Sequence, residues 1–332
     1  MRIAVDAFGS DNAPLPEVEG AILAIKEDIC SEIVLTGRED LLQKCLDKHF
    51  YDRKRIQIIP AAEIIRMDEN PAVIIKQKKD SSLLKAVELH RDGYVDAVVS
   101  AGNTGAVMAV SMFTYGRIKN VLRPAIAIPL PTQKKPEIIL DVGANVDCTP
   151  ENLVQFAMLG SLYSRFFFHR ENPEVALLNI GEESVKGNEL SKKVYLKLSE
   201  HKDINFIGNI EGKDLLKGIA DVVICDGFVG NVMLKTVEGV ALAIFDMMKE
   251  QIREDWVAKI GALLSFPVYR FIKKKLDHTE YGGALLVGLN GISVISHGRA
   301  NDKAIKNAIK VGVKIAESGF IQNAKEYFEE LS

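Results

Sequence analysis

The stretch VVICDGFVGNVMLK, residues 222–235, puts an apolar β-branched run, an Asp-Gly turn, a Gly-Asn step and the start of a helical pattern next to one another. A second stretch, DAVVSAGNTGAVMAV at 96–110, repeats that grammar. A continuous apolar run belongs in a sheet buried on both faces, and a run leading straight into a helix belongs to a β-loop-α unit. Working outward, similar runs recur as RIAVDA from Arg2, EIVLTG from Glu32, IQIIP from Ile56, PAIAIPL from Pro124, EIILDVGA from Glu137, VALLNIG from Val175 and INFIGN from Ile204. Segments with helical spacing separate most of them: PEVEGAILAIKE from Pro16, TPENLVQFAMLGSLYSRF from Thr149 and VMLKTVEGVALAIFDMMKEQI from Val232. The pattern predicts an α/β fold, a three-layer α/β/α arrangement around a mainly parallel sheet. No linker-like or low-complexity stretch interrupts it, so residues 1–332 read as a single domain. The proline-punctuated RPAIAIPLPTQKKPEIILDV from Arg123 reads as a hairpin at a lobe junction.

Composition narrows the classes. With 332 residues the chain is long enough for a large core, and a net charge of -3 with 26% charged residues argues against a general nucleic-acid binder. Cys30, Cys45, Cys148 and Cys225 lack CxxC spacing, so neither a zinc site nor a disulfide framework is expected, and a reducing cytoplasm fits. The opening MRIAVDAFGSD reads as a strand and a turn rather than a signal peptide. No run approaches the roughly eighteen uninterrupted apolar residues of a membrane span, so any membrane contact is expected to be peripheral.

DWVAKIGALLSFPVYRFIKKKLDH, residues 255–278, breaks the rhythm. It sets Trp256, Ile260, Leu263, Leu264, Phe266 and Phe271 among Lys259, Arg270, Lys273, Lys274 and Lys275. Pro267 predicts two short amphipathic helices with an apolar tip, part of a protruding hairpin at about 245–280. Such a hairpin fits a dimer interface, core packing or an anionic membrane surface.

The polar turns fall where strands end and helices begin, where open α/β sheets bind ligands. They offer Asp6 and Asp11; Ser100, Gly102, Asn103, Thr104 and Gly105; Asp141, Asn145 and Asp147; Glu183, Lys186 and Asn188; Asn209 and Glu211; Asp226, Gly230 and Asn231; and His297 and Arg299. Glycine admits close backbone approach and a helix N-terminus favours negative charge, so phosphate is the natural guest. Neither GxxxxGK[ST] nor GxGxxG is present, which favours a small phosphate group over a nucleotide, although each turn also reads as an ordinary strand-to-helix connection. Lys186 reads as a charge on phosphate or as a solvated lysine, and His297 as a general acid/base or as a backbone-bonded loop residue. Asp6 and Asp11 lack further carboxylates at a metal-binding spacing, so no metal is expected. Cys148 and Cys225 read as packing residues, and no GxSxG elbow supplies a serine nucleophile, which leaves direct attack by a bound substrate.

Taken in order, VDAFGSDNAP, SAGNTGA, RPAIAIPLPT, LDVGANVDCTPENL, LLNIGEESVKGNEL, FIGNIEGKDLLKG, ADVVICDGFVGNVMLKTVEG, YGGALLVGLNG and SHGRAND closely resemble the bacterial phosphate acyltransferase PlsX family, from residue 1 to about residue 310. Asn12 stands where that family usually has His, and Leu285 where Pro is commoner. The resemblance implies an isocitrate/isopropylmalate dehydrogenase-like fold, a homodimer, and formation of acyl phosphate from inorganic phosphate and acyl-[acyl carrier protein] for phospholipid synthesis. It also implies a cytoplasmic enzyme held peripherally at the inner face of the cell membrane, with a membrane glycerol-3-phosphate acyltransferase as a further partner. No cofactor is implied. In this reading Lys186 and the Gly/Asn loops hold phosphate, Asn231 stabilises the oxyanion, and His297 steers protons. The acidic carrier protein docks on Lys273, Lys274 and Lys275, and the 256–272 hairpin helps form an acyl groove. Rival readings are a phosphotransacetylase using acyl-CoA, a metal- and NAD-dependent dehydrogenase, and a non-catalytic scaffold at a membrane surface.

Overall fold

The strands, in chain order, are β1 (Arg2–Asp6), β2 (Glu32–Gly37), β3 (Ile56–Pro60), β4 (Ala97–Ser100), β5 (Ala125–Leu130), β6 (Glu137–Leu140), β7 (Glu174–Asn179), β8 (Asn205–Glu211), β9 (Val222–Ile224), β10 (Ala284–Val287) and β11 (Ser293–Ile295). The helices used below are α1 (Leu15–Lys26), α2 (Glu39–Leu46), α3 (Ser82–Arg91), α4 (Thr104–Tyr115), α5 (Pro150–Phe168), α6 (Glu189–Glu200), α7 (Gly227–Glu254), α8 (Trp256–Leu264), α9 (Phe266–Leu276), α10 (Asp302–Ser318) and α11 (Phe320–Glu330). This computed structural model describes residues 1–71, 77–276 and 282–331, apart from the side chains of 273–276.

All strands join one sheet in the order β3-β2-β1-β4-β11-β10-β5-β6-β9-β7-β8. Each β-branched run of the sequence forms a strand; β10 and β11 are additions, four and three residues long. The sheet is mainly parallel, and its only antiparallel junctions among the described residues are β10 with β11, β10 with β5, and β5 with β6. The 123–142 segment is therefore a hairpin, in mid-sheet. Its consequence is a reversal of polarity: β4 and β11 run with β5, whereas β6, β9, β7 and β8 run against it. Carboxyl-terminal loops of the first group emerge at one edge of the sheet, and those of the second at the other.

Burial follows the pleat. Ile33 and Leu35 of β2 face one core and Val34 faces the other, because successive side chains of a strand point to opposite faces. The larger core packs residues of α1, α2, α5, α6, α10 and α11 on one face. Residues of α3 and α4, joined by Met233 and Leu234 of α7, cover the opposite face. The α/β/α layering is thus the one expected. Helix starts are capped by the polar turn residues: Thr149 and Asn152 form a reciprocal capping box on α5, and Asp226 caps α7.

Beyond its first turns α7 leaves the sheet. Val240, Leu242 and Met247 are exposed, and the helix continues into α8 and α9, with Ser265 between them and Pro267 in the first turn of α9. This matches the two short helices expected around Pro267. Trp256, Ile260, Leu263, Leu264, Phe266 and Phe271 are each more than half exposed. By length and composition alone α7 is apolar enough to cross a membrane, although one flank of its first half is built against the sheet.

Candidate functional site

At the edge where β6 and β9 end, Asp141 organises the turn. Its carboxylate is fully buried and accepts hydrogen bonds from the backbone N–H of Ile126 (3.0 Å), Gly143 (3.2 Å), Ala144 (3.0 Å) and Asn145 (2.6 Å), and from Asn145 Nδ2 (2.9 Å). Asn145 Nδ2 also donates to the Pro124 carbonyl, and the Asn145 carbonyl accepts from Gly227 N at 2.8 Å. Both residues were expected to hold phosphate; buried and saturated by internal bonds, they instead shape the loop that receives the start of α7. Asp226, half-buried, caps α7 by accepting from Val229 N at 2.9 Å.

The helix start seats tightly on that turn. A Cβ placed on Gly230 would lie 1.9 Å from the Asp141 carbonyl oxygen, so glycine is what lets α7 approach. One residue on, the Asn231 amide lies over Gly143: a Cβ there would be 3.4 Å from Asn231 Nδ2, and Gly143 has a φ of +135 that side-chain-bearing residues rarely adopt. Asn231 is exposed and makes no hydrogen bond within the described residues, which leaves its two N–H donors for a ligand. The positive end of the α7 dipole lies beside it.

Lys186 belongs to the same edge, in the loop after β7. Asn179 Nδ2 donates to the Lys186 carbonyl (3.2 Å), Lys186 N donates to the Glu183 carbonyl (3.1 Å), and Asn209 Nδ2 donates to that same carbonyl (3.0 Å). Asn209 thus holds the loop, and Glu183 takes part through its backbone. The Asn209 Oδ1 atom is buried without a hydrogen-bond partner among the described residues. The Lys186 side chain is exposed and forms no ion pair within the described residues.

The other edge carries the remaining candidates. Asp6, 2% exposed, accepts from Ser100 Oγ at 2.7 Å, and Ser100 Oγ accepts from Gly102 N at 3.1 Å. Burial pushes the Asp6 carboxyl up, partly offset by its hydrogen bonds from Ser82 and Ser100. Asp6 therefore stitches the β1 and β4 loops together. Asn103 caps α4 through Ala106 N (3.0 Å) and donates to the Met67 carbonyl (2.6 Å). His297 Nδ1 accepts from Arg299 N at 3.1 Å, so in the neutral ring the proton sits on Nε2.

A cavity of about 420 Å³ joins the edges across the face of β5. Its wall includes Asn231 and Gly143 from one edge and Thr104, Gly105 and His297 from the other; Lys186 and the 256–271 hairpin are not part of it. Asn231 and His297 were expected at one reacting centre. The strand reversal at β5 and β6 brings them to a shared cavity from opposite edges, and the described side chains of the hairpin do not line it. Ile126, Ile128 and Leu130 of β5 form its floor, with Met108 of α4 and Leu234 and Val237 of α7. That floor gave no signal in the sequence, because AIAIPL is apolar throughout and reads as a strand buried on both faces. Burial pushes the Cys148 thiol up to about 11 and the Cys225 thiol well above its ordinary value, which makes both poor nucleophiles at neutral pH, as expected of packing residues. Lys273, Lys274 and Lys275 lie outside the described side chains.

A family model described as "Fatty acid synthesis protein" matches residues 1–323. The chain belongs to that family. It is 50% identical to a phosphate acyltransferase of Dictyoglomus turgidum, over 96% of this chain and 94% of the relative, and 46% identical to one of Fusobacterium nucleatum, over 99% of each. As a member of this family the chain is an acyltransferase. Among solved structures, a phosphotransacetylase from Streptococcus pyogenes superposes with a TM-score of 0.64 at 15% identity, covering 96% of this chain and 94% of that one; the shared feature is the fold.

Proposed function

We propose that this acyltransferase forms acyl phosphate from inorganic phosphate and a long-chain acyl thioester of acyl carrier protein, feeding phospholipid synthesis. The observation that carries the reading is the unengaged Asn231 amide over Gly143, at the positive end of α7 and at the mouth of an apolar cavity. An anion and an apolar chain meet at that point. The family relatives named phosphate acyltransferase support the same chemistry.

In this mechanism phosphate binds near the Lys186 ammonium and the α7 N-terminus, and one of its oxygens attacks the thioester carbonyl carbon. The carbonyl oxygen gains charge as the C–O bond forms, and Asn231 Nδ2 donates to it. Collapse breaks the C–S bond, and the carrier's phosphopantetheine leaves as thiolate, taking a proton from solvent. Phosphate is already an anion at neutral pH, so positioning supplies much of the rate, on the order of 7 kcal/mol or more for well-aligned reactants. His297, at the far edge, has no part in these steps.

Lys186→Ala and Asn231→Ala test the site. Removal of one oxyanion donor costs about a hundredfold to a thousandfold in turnover, and both variants are expected to fall in that range with unchanged circular dichroism, followed as phosphate-dependent thiol release. Near wild-type rates in both would remove these residues from the site. The phosphotransacetylase-like fold favours one second reading, acyl-CoA as donor; exchanging the carrier thioester for acyl-CoA in that assay separates the two. The exposed apolar flank of α7 and the α8–α9 hairpin support a homodimer and a peripheral contact with the inner face of the membrane in the cytoplasm, where a glycerol-3-phosphate acyltransferase would consume the product.

A further inference from the structure

We infer that the cavity over β5 is the site of the acyl chain, entered beside Asn231, and that Ala241 at its far end sets the chain length accepted; this rests on the acyl-transfer reading above. The wall of α7 supplies the ruler. Asn231, Leu234, Val237, Glu238 and Ala241 line the cavity at helical spacing, so one stripe of the helix follows it from the reacting end outward. Ten residues at a rise of 1.5 Å span about 15 Å. The floor gives an independent length: from Ile126, whose carbonyl accepts from Val142 N beside Gly143, to Leu130 is four strand residues, or about 13 Å. At about 1.3 Å per carbon of an extended chain, roughly ten to twelve carbons reach Ala241, and a palmitoyl chain runs past it.

The lining decides the occupant. Ile126, Ile128, Leu130, Met108, Leu234 and Val237 offer no hydrogen bond, and the charges at the wall, Lys235 and Glu238, are paired with each other at 2.8 Å. Along this floor a nucleotide or sugar would lose its hydration without replacement, since Asn231, Thr104, Ser296 and His297 come from the edges, whereas an alkyl chain loses nothing. Ala241 is half-buried and small, so a larger side chain at that position fills the far end and leaves the Asn231 end as it is.

The test uses octanoyl, dodecanoyl and palmitoyl thioesters of acyl carrier protein with the full-length chain and the variants Ala241→Phe and Ala241→Leu. Each methylene denied burial lowers affinity roughly fourfold. Ala241→Phe is therefore expected to cut kcat/KM for palmitoyl by about tenfold to a hundredfold while octanoyl stays within about twofold. Ala241→Leu gives a smaller shift of the same sign and covers the case in which the phenylalanine variant does not fold. An unchanged length profile, or equal loss at every length, overturns the inference while leaving the transfer reaction standing. If the wild type makes no acyl phosphate from any of the three, the reaction reading falls, and binding of cis-parinaric acid decides the cavity by itself. Saturable fluorescence weakened by Ala241→Phe supports the site, and absence of binding or indifference to the substitution overturns it.

Discussion

Gly230→Ala adds one methyl group where the structure leaves no space for it. The new Cβ would lie 1.9 Å from the Asp141 carbonyl oxygen and 3.0 Å from Cys225 Sγ, against ordinary contact at 3.4–4 Å. Either the turn or the helix has to move by more than about 1 Å, since a packed interior does not compress. The turn is held by the five hydrogen bonds to the Asp141 carboxylate, so α7 yields and carries Asn231 with it. Overpacking of this kind costs about 1–3 kcal/mol, set against the roughly 1 kcal/mol that alanine gains over glycine inside a helix. The net effect on Tm is a drop of a few degrees at most, but a displacement of about 1 Å at a reacting group costs about a hundredfold in rate. The expected result is thus a variant that folds, melts slightly lower and loses about a hundredfold in phosphate-dependent thiol release. Gly212→Ala is the control, because nothing lies within 4 Å of a Cβ there; it is expected to match the wild type in both measurements. Wild-type turnover in Gly230→Ala would refute the reasoning that Asn231 is placed by the seating of α7 on the 141–145 turn.

Glu17 is fully buried, with Oε1 accepting from Ser10 N at 3.1 Å, and burial pushes its carboxyl up to about 7 from 4.5. The folded state binds the proton more tightly than the unfolded chain, so this contribution to stability is complete below pH 4.5 and is lost as pH rises toward 7. Glu17→Gln is expected to remove that slope, gaining on the wild type by roughly 1–3 kcal/mol between pH 5 and pH 8 in urea titrations; parallel curves for the two proteins would show that Glu17 is charged in the fold. For the hairpin, Leu263→Glu with Leu264→Glu places charge on two of its most exposed apolar side chains, 77% and 78% accessible. Co-sedimentation with phosphatidylglycerol vesicles is expected to fall at least tenfold with turnover on the soluble thioester kept within about twofold, since apolar area and lipid charge act together in such contacts. Undiminished sedimentation would exclude this tip as the contact.

The layering and most of the sheet were legible in the sequence because runs such as EIVLTG and VALLNIG are apolar without interruption and end in turn residues. β10 and β11 were not, since three or four residues flanked by Gly283, Gly288 and Gly291 carry too little pattern to register as strands. The hairpin at 123–142 was expected, yet its effect on the site was not. Strand-turn-helix grammar is local and says nothing about which edge of the sheet a turn occupies, so SAGNTG and CDGFVGN read as neighbours although they approach one cavity from opposite edges. The same limit applies to single residues. An aspartate at a strand end has one appearance in sequence whether it meets a ligand or, like Asp6 and Asp141, is consumed by nearby hydrogen-bond donors. Asn231 and Lys186 emerge as the polar candidates at the β6–β9–β7 edge with side chains left for chemistry.

The central claim, transfer of an acyl group from a carrier thioester to phosphate at the Asn231 edge, is tested most directly by product stoichiometry. Purified protein, palmitoyl-[acyl carrier protein] and radiolabelled inorganic phosphate are incubated, and free carrier thiol is counted against hydroxylamine-labile acyl phosphate. The account predicts equal amounts of the two, no thiol release when phosphate is omitted, and loss of both products in Asn231→Ala. Thiol release that proceeds without phosphate, or that yields free fatty acid in place of labelled acyl phosphate, would contradict it.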